Sequence, residues 1–186
     1  MLKGIHKFQH GVSLIEMAIA MTVFAITLAY GLPSFMEWTQ NSQLRTVAES
    51  VQSGLQLARS EAVRRNARVE FKLSDNVGAA GATGWTVRLV STGAIVQSKP
   101  DSESSATVVI TATPSGVDTV TFEGTGRRLI NPATNADGSA FLTSVAVDSS
   151  TLSAANSRDL RVVIGAGGQV RMCDPNVSTT GDPRKC

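Results

Sequence analysis

Glu16 is the first residue of this chain whose type and setting could do chemistry. It stands at the leading edge of HGVSLIEMAIAMTVFAITLAYGLPSF, residues 10–35, and no other charge follows until Glu37. A carboxylate within lipid is costly and needs a cation beside it. Glu16 is therefore either an ion-pairing group inside a low-dielectric assembly or a wet marker of the headgroup boundary. The remaining candidates lie at the opposite end. Cys173 and Cys186 could pair or hold a metal. Arg158, Arg161, Arg171, Arg184 and Lys185 gather positive charge, and forked guanidinium groups suit phosphate.

The inventory gives catalysis little support. Both histidines, His6 and His10, fall in the first ten residues, so a chain cut after Gly11 keeps no imidazole for proton transfer or metal ligation. No GxGxxG, P-loop, HExxH or GxSxG pattern occurs. Gly165–Gly168, GAGG, lies between two strand-like runs rather than ahead of a helix, so it reads as a hairpin turn and not a phosphate cradle. Two cysteines alone make a poor metal site. The expectation is a non-enzymatic chain with no cofactor and no metal.

Three regions must position these groups. Met17 to Met36 is an apolar run of 20 residues. That length crosses about 30 Å of hydrocarbon at about 1.5 Å per residue. Lys3 and Lys7 ahead of it hold the leader in the cytoplasm and place the rest outside. A cleaved secretory signal wants a shorter apolar stretch and a small-residue site behind it, whereas Pro33, Glu37 and Trp38 follow here. Pro33 is expected to kink or locally open the helix. Beyond it the pattern narrows to one stripe, Leu44, Val47, Val51, Leu55, Ala58 and Ala62, at steps of three and four.

From Val69 onward eight short runs read as strands: 69–73, 85–90, 94–97, 107–112, 119–123, 141–147, 160–164 and 169–172. Lys99–Ser105 reads as a solvated loop. The expected division is a leader over 1–11, a long helix over 12–68 with a transmembrane part at 17–36, and a β-rich head over 69–186. The fold class is α+β, with a long N-terminal helix, membrane-spanning in its first half, packed on an antiparallel, sandwich-like β head.

A short basic leader ending in Gly11, then V-S-L-I-E, then an uninterrupted apolar run resembles the type III signal of type IV pilins and pseudopilins. The resemblance implies cleavage by a prepilin peptidase after Gly11 and N-methylation of the new first residue, Val12, where Phe is usual. Glu16 matches the family's glutamate at the fifth mature position. Cleavage would then supply the missing cation, a free amine on Val12 of a neighbouring subunit, and the pair would fix register more than add stability. LQLARSEAVRRNARVEF at 55–71, Gly84–Trp85 and RVVIGAGGQVRMCDP at 161–175 are similar to the GspH/FimT branch. That branch implies a helix packed on a β-sandwich-like pilin head, partnered by other pilins through the helix. It implies single-pass insertion in a bacterial inner membrane with the head in the periplasm, then passage into a pilus.

Outside the cytoplasm Cys173 and Cys186 most simply pair, closing the polar segment DPNVSTTGDPRK. Pilus-associated FimT/FimU members typically carry such a pair, and GspH members of type II secretion typically lack it, which favours a FimT/FimU-like minor pilin over a GspH-like pseudopilin. A third reading is a pilin that binds double-stranded DNA during natural transformation. FimT-like pilins of competent bacteria use a G-R-x-R motif, and this chain reads Gly168, Gln169, Val170, Arg171. With Gln169 in place of the first arginine, Gly168, Arg171, Arg184 and Lys185 remain as candidate DNA contacts. The alternative is that Arg161 and Arg171 are surface residues paired with Asp159 and Asp174.

Overall fold

The computed structural model describes residues 12–103, 105–129 and 140–186. The expected leader, Gly11 included, lies outside the described residues. Two compact units divide the chain, 1–38 and 39–186, and α1 (Leu14–Arg65) contributes to both.

In the first unit every described side chain from Val12 to Met36 is exposed. Leu14 is 91% and Tyr30 81% open. The helix is long and apolar enough to cross a membrane. Its threonine hydroxyls are satisfied internally: Thr22 donates to the carbonyl of Ile19 at 2.8 Å and Thr27 to that of Val23 at 2.8 Å. Such back-bonding leaves neither threonine hydrogen stranded in hydrocarbon. The helix continues through Pro33, where a kink or a local opening was expected.

In the second unit α1 buries one stripe, Leu44, Val47, Ala48, Val51, Gly54, Leu55, Ala58 and Ala62. Asn66 then adopts φ 46°. Its amide and that of Ala67 turn back to the carbonyls of Val63 and Ala62, at 3.2 and 3.1 Å. This is a Schellman cap, which a left-handed Asn can close. The helix therefore stops at Arg65, three residues short of the expected Arg68.

Eight strands follow: β1 (Val69–Leu73), β2 (Trp85–Leu89), β3 (Ile95–Lys99), β4 (Val108–Thr113), β5 (Thr119–Phe122), β6 (Ser144–Ser149), β7 (Leu160–Ile164) and β8 (Val170–Cys173). They form two antiparallel sheets, ordered β3-β2-β1-β5 and β4-β6-β7-β8. Alternation sends Val69, Phe71, Leu73 and Val87 from the first sheet, and Val108, Ile110, Val145, Val147, Val162 and Ile164 from the second, into one core with the helix stripe. Each buried Leu, Val or Phe in it contributes about 1.5–3 kcal/mol.

Two strand starts differ from expectation for identifiable reasons. Gly93, at φ 68°, and the bond from Leu89 N to Ala94 O use up residue 94 as a turn, so β3 begins at Ile95. The segment expected to begin β6 at Phe141 instead ties the two sheets. Leu142 N donates to Thr119 O of β5 and Thr143 N to Thr113 O of β4, both at 2.8 Å. The 99–105 segment is not simply solvated either. The Asp101 carboxylate accepts from Gly84 N and Ser74 Oγ, both at 2.6 Å, and pins the loop before β2.

Gly54 lets the helix meet the first sheet. A Cβ there would lie 2.8 Å from the Phe71 ring and 3.0 Å from that of Trp85. The two rings stack with centroids 5.8 Å apart, and the Trp85 indole N–H donates to Ser50 Oγ at 3.0 Å. Neither ring has room to retreat. Gly54→Ala should lose about 1–3 kcal/mol to overpacking despite the better helix propensity of alanine, measured by denaturant unfolding at constant m.

Candidate functional site

At its start, α1 carries Ser13 immediately before the first helical residue and Glu16 in the first turn. S-L-I-E has the spacing of a capping box, and a carboxylate in this turn faces the positive end of the helix dipole. Glu16 thus has a local reason to be there besides any partner, a reason the sequence carried and that the motif reading passed over. Val12 is 66% exposed.

At the other end Cys173 and Cys186 form a disulfide with Cα atoms 5.1 Å apart. Cys173 ends β8 and is buried, and the closed loop folds against the strand end. Asp174 N donates to Arg184 O at 2.7 Å, residues 174 and 185 form a parallel bridge, and Lys185 Nζ donates to Ser178 O at 3.1 Å. Arg184 is not free to meet a ligand: its guanidinium lies 2.8 Å from Asp182. That hydrogen bond holds the Asp182 carboxyl below its ordinary range.

Gly168, a candidate contact, turns out to be a packing residue. It is buried at φ 78°, and a Cβ on it would lie 2.0 Å from Gly126 O. GAGG is the β7–β8 hairpin turn, closed by Gly165 N to Gln169 O at 2.9 Å. The Gln169 amide curls back over it, so close that a Cβ on Gly165 would meet Nε2 at 2.2 Å. The 123–128 turn is held on two further sides. Arg59 Nε donates to Gly126 O at 2.9 Å, and Arg128 donates to Ile164 O at 3.1 Å while lying 3.9 Å over the Phe141 ring.

Most arginine positions are similarly committed. Glu61 takes Arg64 and Arg65, which lower its carboxyl to about 2, with the Arg64 hydrogen bond foremost. Arg88 is tied to Glu70, itself only 2% exposed. Arg88 also borders a cleft of about 410 Å³ on the outer side of the first sheet, with Lys72, Thr86, Ile95 and Lys99. Lys72 is held by Asp75 at 2.6 Å. Among the described residues, Arg161 and Arg171 form no ion pair, which corrects the expected pairing with Asp159 and Asp174. Asp159 instead accepts from Ser157, and Asp174 from the amide of Asn176. The β7–β8 register sets Val163 opposite Arg171, and alternation puts Arg161 on that same outer face. Arg171 is exposed there.

The chain matches the family described as "Type II transport protein GspH" over residues 47–168, and the prokaryotic N-terminal methylation motif over residues 6–31. It belongs to the GspH family. No curated protein matches. Among solved structures, the type IV minor pilin FimU of Pseudomonas aeruginosa (strain PAO1) is similar in two crystal forms. One has a TM-score of 0.54 at 16% identity, covering 76% of this chain and 99% of that one. The other has 0.50 at 15%, covering 73% and 99%. At that identity the likeness shows the fold, a long helix packed on antiparallel sheets.

The GspH-family match takes in the helix stripe from Val47 and strands β1 to β7, ending before β8, and the methylation motif spans Gly11, Val12 and Glu16. In the head, Arg45, Arg64, Arg65, Arg88 and Arg184 are paired with carboxylates, and Arg59 and Arg128 with backbone carbonyls.

Two outcomes check this description. Replacing Cys173 and Cys186 by Ser should cost about 3 kcal/mol, as expected for a loop of this length, read as a drop in the unfolding midpoint. Gly168→Ala should be worse tolerated than an alanine at Gly181, where nothing lies within 4 Å of the place a new methyl would take. The comparison is made by thermal unfolding of both variants.

Proposed function

We propose that this chain is a minor type IV pilin of the FimT/FimU kind. A prepilin peptidase cleaves it after Gly11 and methylates Val12. The apolar half of α1 holds it in the inner membrane with the head outside the cytoplasm, and it then enters a pilus, in a priming or capping position. The observation that carries this reading is the bare apolar helix from Val12 to Met36. None of its side chains is buried within the chain, although a soluble protein would hide such a surface. Lipid and then the helices of neighbouring subunits are the environments that fit it.

In the bundled state Glu16 pairs with the methylated amine on Val12 of a neighbouring subunit. Cleavage makes the cation, and the low-dielectric core makes the pair discriminating, because an unpaired carboxylate there costs far more than it does in water. Mature chain recovered from membranes should begin at N-methylvaline by mass spectrometry. Glu16→Ala should still be cleaved but lose most of its incorporation into fibres. Retention of the leader, or normal incorporation of Glu16→Ala, would overturn the reading.

Two rivals make different demands. A pseudopilin of type II secretion accords with the family's description, and the C-terminal disulfide favours the pilus over it. Loss of this chain would then abolish protein export and leave pili intact. A DNA-uptake role has Arg161 and Arg171, unpaired on one face, in its favour. Gln169, folded over its own turn, and Arg184, held by Asp182, count against it. Duplex DNA binding that weakens with salt and with Arg171→Ala would favour that role.

A further inference from the structure

The turn joining β6 to β7, residues 150–159, touches α1 just inside the second unit. Asn41 makes both ends of a two-way contact: its side-chain amide donates to Asn156 O at 3.0 Å, and its carbonyl accepts from Arg158 N at 2.9 Å. Thr151 Oγ1 donates to Gln40 at 2.9 Å. The turn is thus fastened to α1 by polar bonds at two successive helix positions.

The base of that turn has one hydrogen too few. Ser157 is 6% exposed, and its single hydroxyl lies 2.5 Å from Asp159 Oδ1 and 3.1 Å from Asp148 Oδ1. A hydroxyl has one hydrogen and two lone pairs. With both carboxylates ionised, one of them faces the serine oxygen without a donor. One added proton resolves the arrangement: a protonated Asp159 donates to Ser157 Oγ, and the hydroxyl hydrogen passes to Asp148. Both carboxyl contacts to the hydroxyl then carry a hydrogen, while Asp148 Oδ1 also accepts from the amide of Ser149.

We propose that the β6–β7 turn is a proton-operated clamp, in which uptake of one proton by the Asp148–Ser157–Asp159 group fastens the turn to Gln40 and Asn41 and its release loosens that grip. The surroundings agree. Burial pushes the Asp159 carboxyl above its ordinary range, and Asp148 reinforces the shift, while hydrogen bonds from Ser157 and Asn176 oppose it. Asp148 on β6 and Asn176 of the disulfide loop act on Asp159 directly, Arg158 and Arg161 flank it in sequence, and Asp174 and Lys185 belong to the same loop as Asn176. None of these cations supplies a countering effect: Arg158 is exposed, and Lys185 is turned to Ser178 O. Because the folded form binds this proton more tightly, its contribution is greatest below the ordinary Asp value of about 3.9 and is lost as pH rises through the raised one.

The test uses the full mature chain in detergent micelles. Carboxyl-detected NMR should show Asp159 titrating above the ordinary Asp value. Hydrogen exchange at the Arg158 amide, corrected for intrinsic rate, should lose protection across the same range. The loss should reach up to about tenfold for each unit of difference, with the Phe71 amide in β1 unchanged. Asp159→Asn should abolish the step. If that variant fails to fold, Asp148→Asn at an exposed position is the substitute and should shrink the step and move it to lower pH, because burial still raises Asp159 but the reinforcing charge is gone. Asp159 titrating at or below the ordinary value overturns the clamp. So does an Arg158 amide equally protected at both ends of the range. Neither result bears on cleavage at Gly11 or on pairing by Glu16, so the clamp and the pilin reading fail independently.

Discussion

The head rests on how closely one helix face can approach two sheets. The stripe from Leu44 to Ala62 is built half from small residues, Ala48, Gly54, Ala58 and Ala62, and at Gly54 the backbone of α1 comes down onto Phe71 and Trp85. Close approach fixes the depth of the core. The valines of both sheets share one buried cluster with the stripe. Dense packing of this kind makes the seat a matter of shape, so a single methyl in the wrong place is felt.

Around that seat, charge serves mainly as carpentry. Arg59 and Arg128 end on backbone carbonyls, at Gly126 and Ile164, so that the 123–128 turn is caught between the helix end and the β7–β8 hairpin. Asp101 does the same for the loop ahead of β2. An arginine count alone would have read this surface as a landing site for phosphate. The distinction lies in the hydrogen bonds: donors already spent on carbonyls and carboxylates cannot also serve a ligand, and among the described residues Arg171 is one that forms no ion pair.

The elements were largely legible because their signals are periodic. Eight strand-like runs correspond to the eight strands, and the six stripe residues read from spacing are all buried. Ends were harder. That Asn66 would cap the helix is a matter of one residue's φ, and that 142–143 would tie the two sheets depends on partners more than twenty residues away. The N-terminal signal was legible because its chemistry is local: glycine, carboxylate and apolar run lie within one short stretch. The C-terminal candidates were misjudged in part for the opposite reason. Gly168 looked like a motif residue and is a contact with Gly126, while Asp182 two positions before Arg184 was a neutralising partner in plain view.

The loop closed by Cys173 and Cys186 has one further consequence. Its tip, Thr179 to Gly181, is exposed, and the ring is tied at its base, where Asp174 meets Arg184 and Lys185. A foreign peptide grafted at Thr180 would therefore be carried on a covalent hoop fastened to β8, leaving the register of both sheets untouched. The ring is a natural place to mount a tag or an antigen on this surface.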